Sequence, residues 1–404
     1  MDLTLDMPLK TRPCWVEIRT RALEDNYRFL RNLAGLSVEC LAIVKADAYG
    51  HGLGLCAPAA VRGGARWLGV TSVEEGAAAR AACPDARVLV IGGVFPGQEP
   101  AVLEHGLTPV VWDLWQIDAL EAAARGAGAR GVKVHLEIDT GMSRQGVALE
   151  HLPEVLARLG AEPVLRVEAV MTHLYASDEA NGDTTGEQLQ RLEAAVKAVR
   201  GAGLEPDLLS VGATAALLGG TAEALLGGLA ARWGMRPMVR IGLALYGLAP
   251  EFDPDFAAGE MPAELQSARG ALVPVLEWKT RVVSVREIAA GAEVGYNGTF
   301  VATEPMRLAL LAVGYADGLD RKLGNRFSLL VRGQRAPLVG RVSMDQAVVD
   351  VTDIPDVVPG DEVVILGAQG AERITAFNHA EAAGTIPWEV FTGIGVRVGR
   401  VEVR

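Results

Sequence analysis

The chain has 404 residues, 50% hydrophobic and 22% charged, a globular composition that excludes a disordered tail or a fibre. Its formal net charge of -12 argues against bulk nucleic-acid binding, which needs a basic face, but still permits a local basic pocket for a phosphate or carboxylate. A single core stops growing at roughly 250–300 residues, so two domains are expected.

Met1 to Pro13 carries charges and prolines but no apolar core of signal-peptide length. No run of roughly 18 uninterrupted apolar residues occurs, so no membrane span is expected and the cytoplasm is the expected location. The four cysteines, Cys14, Cys40, Cys56 and Cys83, lie in the first quarter and form no CxxC pair. They are read as free thiols of a reducing compartment.

A strand-like run at 15–18 comes first. Eight short apolar, β-branched runs follow, at 41–44, 67–70, 88–91, 109–111, 132–138, 167–171, 208–211 and 239–245. Segments of helical spacing interleave with them, at 73–82, 114–124, 152–159 and 187–200. Eight such alternations predict a (β/α)8 barrel of the TIM type, and the count favours it over a doubly wound open sheet. Residues 251–271, rich in Pro, Asp and Ala, read as a linker. Beyond them, period-two alternation at 279–285, 307–313, 328–331, 347–351 and 362–366 predicts a mainly antiparallel β domain. The division expected is a barrel over 12–258 and a β domain over 259–404, with the strand at 15–18 a candidate to pair with the second domain.

Lys45, one of only six lysines, follows the run Leu41-Ala-Ile-Val44. A lysine at the C-terminal end of a barrel strand points into the mouth, where barrel active sites sit. Desolvation there lowers its pKa and favours Schiff-base chemistry; the alternative from position alone is a lysine snorkelling at a strand end. The four histidines His105, His135, His151 and His379 have no metal-ligand spacing and are expected at the surface or hydrogen-bonded, and His51 is expected to serve packing or turn geometry. Neither a dinucleotide fingerprint nor a Walker A segment is present.

The segment Ile43-Val-Lys-Ala-Asp-Ala-Tyr-Gly-His-Gly52 closely resembles the pyridoxal-phosphate attachment signature of the alanine racemase family. Val73-Glu-Glu-Gly, Ile91-Gly-Gly-Val-Phe-Pro-Gly, Asp139-Thr-Gly-Met-Ser-Arg144, Thr172-His-Leu, Arg240-Ile-Gly-Leu-Ala-Leu-Tyr-Gly247, Gly314-Tyr-Ala-Asp-Gly318 and Gly340-Arg-Val-Ser-Met-Asp-Gln346 follow in the family's order. The resemblance therefore spans both expected domains. It implies a barrel followed by a β domain, pyridoxal 5'-phosphate as cofactor, alanine as substrate, and D-alanine for peptidoglycan as the product's use.

Carried over by position, the resemblance makes Lys45 the cofactor carrier and the base on one face. Tyr315, supplied by the partner subunit of a homodimer, is the base on the opposite face. His173 and Arg240 would form a hydrogen-bond chain from that tyrosine toward the cofactor ring, with Arg240 facing the ring nitrogen. Arg144 would contact the cofactor's phenolic oxygen and the substrate carboxylate, a task suited to a planar cationic fork. Tyr49, Thr214 and amides near Gly242 and Leu243 would bind phosphate. Met344 and Asp345 would reach the site from the partner.

Three positions depart from the family pattern. Glu137 stands where many members carry a carbamylated lysine, and is expected to hold Arg144 with its own charge. Ala213 replaces a polar phosphate-contacting residue, and Val396 a tyrosine near the C-terminus. The alternatives are a racemase of serine, lysine or broad specificity, a decarboxylase on the same scaffold, and a non-catalytic cofactor-binding protein. The family's decarboxylase relatives usually have a different lysine motif and need no tyrosine base.

Overall fold

The computed structural model describes residues 12–161, 164–177, 183–219, 228–250 and 263–403. The chain divides into two compact units. One comprises Arg21–Ala48 and Leu53–Pro274; the other comprises the chain up to Thr20, Tyr49–Gly52, and everything from Val275.

The first strand, β1 (Cys14–Arg19), belongs to the second unit. The first unit is a closed barrel of eight parallel strands: β2 (Glu39–Ile43), β3 (Trp67–Val70), β4 (Arg87–Val90), β5 (Thr108–Val111), β6 (Val132–Glu137), β7 (Leu165–Met171), β8 (Leu208–Ala213) and β9 (Arg236–Ile241). Each lies on one of the eight expected runs. Closure is made by β2 against β9, with Cys40 opposite Val239 and Leu41 opposite Arg240. Nearly continuous burial along these strands matches a parallel sheet covered by helices. The helix expected at 73–82 spans Val73–Ala82, opened by Ser72, whose hydroxyl accepts from the Glu75 amide.

Two expectations of this region are corrected. The run at 239–245 is not one strand: β9 stops at Ile241, and Leu243–Tyr246 coils into a 3-10 turn after Gly242, whose backbone leaves the strand conformation. Of the expected linker, residues 251–262 lie outside the described residues, as does the expected domain boundary at 258–259. Residues Ala263–Ala271 form a helix instead, consistent with their Ala, Glu, Gln and Arg content.

The second unit is built on a mainly antiparallel nine-stranded sheet. Its members after β1 are β10 (Leu276–Ile288), β13 (Met306–Leu311), β14 (Ser328–Val331), β15 (Gln334–Pro337), β16 (Ala347–Asp350), β17 (Glu362–Gln369), β18 (Glu372–Ile374) and β19 (Gly399–Val403). A separate hairpin joins β11 (Glu293–Val294) to β12 (Phe300–Val301). Strand β1 lies between β10, antiparallel, and β19, parallel. Lys279 on β10 sits among Glu17, Glu277 and Glu362, 2.9–3.6 Å from each.

Two of the histidines differ from expectation. His135 and His379 are buried, and neither Nε2 has a hydrogen-bond partner. His135 lies 3.6 Å from Glu168, and His379 packs its ring edge-on against Phe327. The four cysteines are buried free thiols.

Candidate active site

Barrel strands deliver their C-terminal residues to one face. The residues found there are Lys45 after β2, Glu137 ending β6, His173 after β7, Thr214 after β8, and Arg240 near the end of β9 with Gly242 beyond it. Alternation explains the selection within β6. His135 and Glu137 share one side of the strand and Val134 and Leu136 the other, and all four are buried.

Lys45 opens an unusual turn. Ala46, Asp47, Ala48 and Tyr49 all have φ between 51° and 56°, a left-handed helical turn of four non-glycine residues. Left-handed backbone costs such residues roughly 1–2 kcal/mol each, so it persists only where contacts hold it. The Ala48 amide donates to Val44 O (2.9 Å), the Leu53 amide to Asp47 Oδ1 (2.7 Å), and the Ala46 amide to Glu75 Oε1 (2.6 Å). Lys45 itself has no hydrogen-bond or ion-pair partner among the described residues. Burial lowers its pKa, helped by the cations Arg144 and Arg240 and opposed by Glu75. Burial also raises the Tyr49 phenol to about 12.

Arg240 is fixed from several directions. Its Nη1 donates to Ser210 Oγ (2.9 Å), and its Nη2 faces Thr172 O (2.8 Å), Val211 O (2.9 Å) and His173 Nδ1 (2.9 Å). Burial brings its pKa down to about 10, so it stays a cation at neutral pH. A guanidinium has only donors, so His173 Nδ1 must accept. Burial and the cations Arg240, Arg144 and Lys45 push His173 down to about 3. The ring is thus neutral, with its proton on Nε2.

Glu137 is buried, and its carboxylate accepts from Gln145 Nε2, which also donates to Ile91 O (3.2 Å). Burial raises its pKa against the pull of Gln145, Arg240 and Arg144. It makes no ion pair within 4 Å with Arg144, which is exposed. Gln145, unnoticed in the sequence, is thus the direct partner of Glu137; a polar residue one position after Arg144 was the available signal. The loop carrying Arg144 is shaped by Asp139 Oδ1, which accepts from the amides of Gly141 and Ser143 (2.9 and 3.1 Å). It turns at Gly146 (φ 108°), where a Cβ would come within 2.6 Å of the Asp139 amide nitrogen. Thr214 Oγ1 accepts from the Gly242 amide (3.0 Å), which opens the turn Leu243–Tyr246.

The second unit carries the other expected residues. Tyr315 begins a 3-10 turn, Tyr315–Asp317, and is exposed, as are Met344 and Val396. The Tyr315 and Ala316 amides donate to Ser343 O and Met344 O (3.0 Å each), which places Tyr315 beside Met344. Asp317, buried, accepts from Arg397 Nε (2.6 Å) and the Gly314 amide (2.8 Å) and pairs with Arg12 (3.2 Å). Asp345 pairs with Arg397 (2.8 Å), so one ionic cluster underlies the turn.

The arrangement fits pyridoxal phosphate: a desolvated, unpaired lysine amine at a barrel mouth, and beside it a buried cation whose Nε–H finds no acceptor among the described residues. A (β/α)8 barrel with such a lysine, followed by an antiparallel β unit, defines a class of barrel enzymes that carry a carbonyl cofactor on lysine. The chain belongs to the alanine racemase family: residues 18–250 match the description of the alanine racemase N-terminal domain and residues 275–402 that of the C-terminal domain. It is an enzyme of a pyridoxal-phosphate-dependent isomerase family. It is 40% identical over 398 residues to an alanine racemase of Symbiobacterium thermophilum, covering 96% of this chain and 97% of the relative. The crystal structure of an alanine racemase from a D-cycloserine-producing Streptomyces lavendulae superposes with a TM-score of 0.84 at 32% identity, over 98% of this chain and 97% of that one. An alanine racemase of Bartonella henselae, solved with covalently bound pyridoxal phosphate, is 27% identical with a TM-score of 0.80, over 97% of this chain and 99% of the other.

Proposed function

We propose that this protein interconverts L-alanine and D-alanine with pyridoxal 5'-phosphate, using Lys45 and the partner subunit's Tyr315 as bases on opposite faces of the substrate. The observation that carries this reading is the grouping of Lys45, Arg240 and the Arg240–His173 pair at one end of one barrel. The cofactor, when bound, delocalises the negative charge left at Cα. The protein supplies two proton carriers and the surroundings that tune them.

Lys45 would hold the cofactor. Desolvation and two neighbouring cations keep its amine poised to lose a proton, which a base needs. Tyr315 is exposed on its own chain, as a residue donated across a homodimer must be. A phenol is a weak base at its reference pKa of about 10, and a hydrogen bond to its charged form strengthens the case for ionisation. The Nε2–H of His173, oriented by Arg240, is a donor of that kind. Arg240 stays a cation, and if it holds the ring nitrogen of the bound cofactor, as the resemblance implies, it would disfavour a proton there and limit misdirected protonation. Arg144 would take the substrate carboxylate, with Met344 and Asp345 of the partner subunit closing the pocket. Tyr49, Thr214 and the opening amides of the Leu243–Tyr246 turn, which lack acceptors within it, would hold phosphate. A cytoplasmic role in supplying D-alanine for peptidoglycan rests on the family resemblance.

The test is chiral chromatography of L-alanine incubated in D2O with the purified protein and pyridoxal phosphate, with L-serine and L-lysine in parallel. Approach to equal D- and L-alanine with deuterium at Cα is the expected result. Exchange confined to serine or lysine overturns the substrate, and released carbon dioxide overturns the reaction. Bound cofactor without exchange overturns catalysis altogether.

A further inference from the structure

The Val73-Glu-Glu-Gly segment has no part in the chemistry above, yet its second glutamate reaches the cofactor lysine's own turn. Glu75 lies in the first turn of the helix Val73–Ala82. Its Oε1 accepts from the Ala46 amide (2.6 Å), and its Oε2 accepts from the Thr71 amide (2.8 Å). One carboxylate therefore ties the residue after Lys45, beyond β2, to the residue after Val70, beyond β3. It does so from the first turn of a helix that Ser72 caps, its hydroxyl accepting from the Glu75 amide (3.3 Å). The Ala46 amide belongs to the left-handed turn, whose strain requires an outside anchor. Burial and the cations Arg144 and Arg240 lower the Lys45 pKa, and Glu75 opposes them.

We propose that Glu75 is a positioning residue for Lys45: one carboxylate oxygen holds the left-handed turn through the Ala46 amide, and its charge opposes that of the cations Arg144 and Arg240. The inference rests on Lys45 being the cofactor lysine. Its consequence is mechanical and electrostatic together. Without the clamp the lysine loses a fixed origin. Without the charge its ammonium form, needed whenever Lys45 returns a proton, is disfavoured further.

The test uses full-length protein freed of cofactor, in three forms: unsubstituted, Glu75→Gln and Glu75→Asp. Two quantities are read: the pH dependence of the rate at which added pyridoxal phosphate becomes lysine-bound, followed by absorbance, and hydrogen–deuterium exchange of a peptide covering residues 45–49. In Glu75→Gln the midpoint of the pH profile moves down by roughly half a unit to one unit, because an anion that favours the ammonium form is gone. Exchange in 45–49 rises roughly tenfold, because an amide cannot accept both N–H groups with its two ends. Glu75→Asp keeps the charge and restores the midpoint, but its shorter reach leaves exchange fast. An unmoved midpoint or unmoved exchange in a folded Glu75→Gln protein overturns the proposal. If Glu75→Gln does not fold, slow exchange in Glu75→Asp overturns it. Lys45→Ala separates the premise: if that variant still forms the lysine-bound absorbance, the cofactor assignment fails rather than the role of Glu75.

Discussion

The residue that most constrains the barrel mouth is Arg240, because three backbone or side-chain acceptors and one imidazole nitrogen converge on two of its nitrogens. Lysine offers one compact charge and cannot span them. Arg240→Lys should therefore leave buried acceptors unpaired and cost about 2–4 kcal/mol of stability, read as a fall in the urea midpoint of the full chain. A midpoint within error of the unsubstituted protein would show that the acceptors find other donors. Glu137 presents the opposite case. Its folded-state pKa is raised, chiefly by burial, so ionising it works against the folded state. The sign follows: stability is lost as pH rises through the ordinary carboxyl range toward the folded value, and is intact below it. Glu137→Gln removes that cost, and its amide can still accept from Gln145. In cofactor-free protein the variant should be at least as stable as the original at pH 7.5, with any advantage shrinking by pH 4.5. Lower stability at pH 7.5 would mean that the charge of Glu137 holds Arg240 or Arg144 in place.

At the scale of elements, the left-handed turn after β2 decides where Lys45 begins. Asp47 tolerates left-handed backbone better than most residues and accepts from the Leu53 amide, the first residue of the helix Leu53–Arg62. Asp47→Ala loses that bond and should cost about 1–2 kcal/mol by chemical unfolding, with faster amide exchange confined to residues 45–53. Nothing in the sequence announced this turn, because Ala-Asp-Ala-Tyr contains no glycine and reads as helix or loop. The barrel strands were legible because buried parallel strands are short continuous apolar runs, and the eight lie between helical segments. The run at 239–245 misled because Leu243, Leu245 and Tyr246 stay buried in the 3-10 turn, so hydrophobicity continues where the strand does not. Strands β11, β12, β15, β18 and β19 carry no expectation, because β11 and β12 have two residues each and the other three offer charged or polar residues in place of an apolar run. Lys45, His173 and Arg240, named from motif order, meet at one end of the barrel, while Gln145 and Glu75 make two contacts each that no spacing rule reports.

At the scale of the whole molecule, sequence order and spatial order part company. Strand β1 lies early in the chain yet pairs with β10 and β19 in the sheet of the second unit, the pairing for which the run at 15–18 was a candidate; what no pattern names is which strand, more than 250 residues away, it meets. Both units share one vulnerability, buried imidazoles. His173 is pushed to about 3 and His379 to about 4, while burial lowers His135 as well. An unfolded chain protonates these groups near 6.5, and the folded protein does not. The unfolded state therefore binds more protons between pH 6.5 and about 4, so stability is full above that window and drains as pH falls through it. For His379, whose Nε2 is buried without a partner beside Phe327, the loss by pH 5 is about 2 kcal/mol. His379→Phe removes the titration while keeping an aromatic ring in the same packing. Chemical unfolding of the full chain at pH 7.5 and pH 5 should show a drop between the two pH values that is smaller by about that amount in the variant. An equal drop in both proteins would mean that His379 takes up its proton in the folded state, with water or Asp320 reaching the ring.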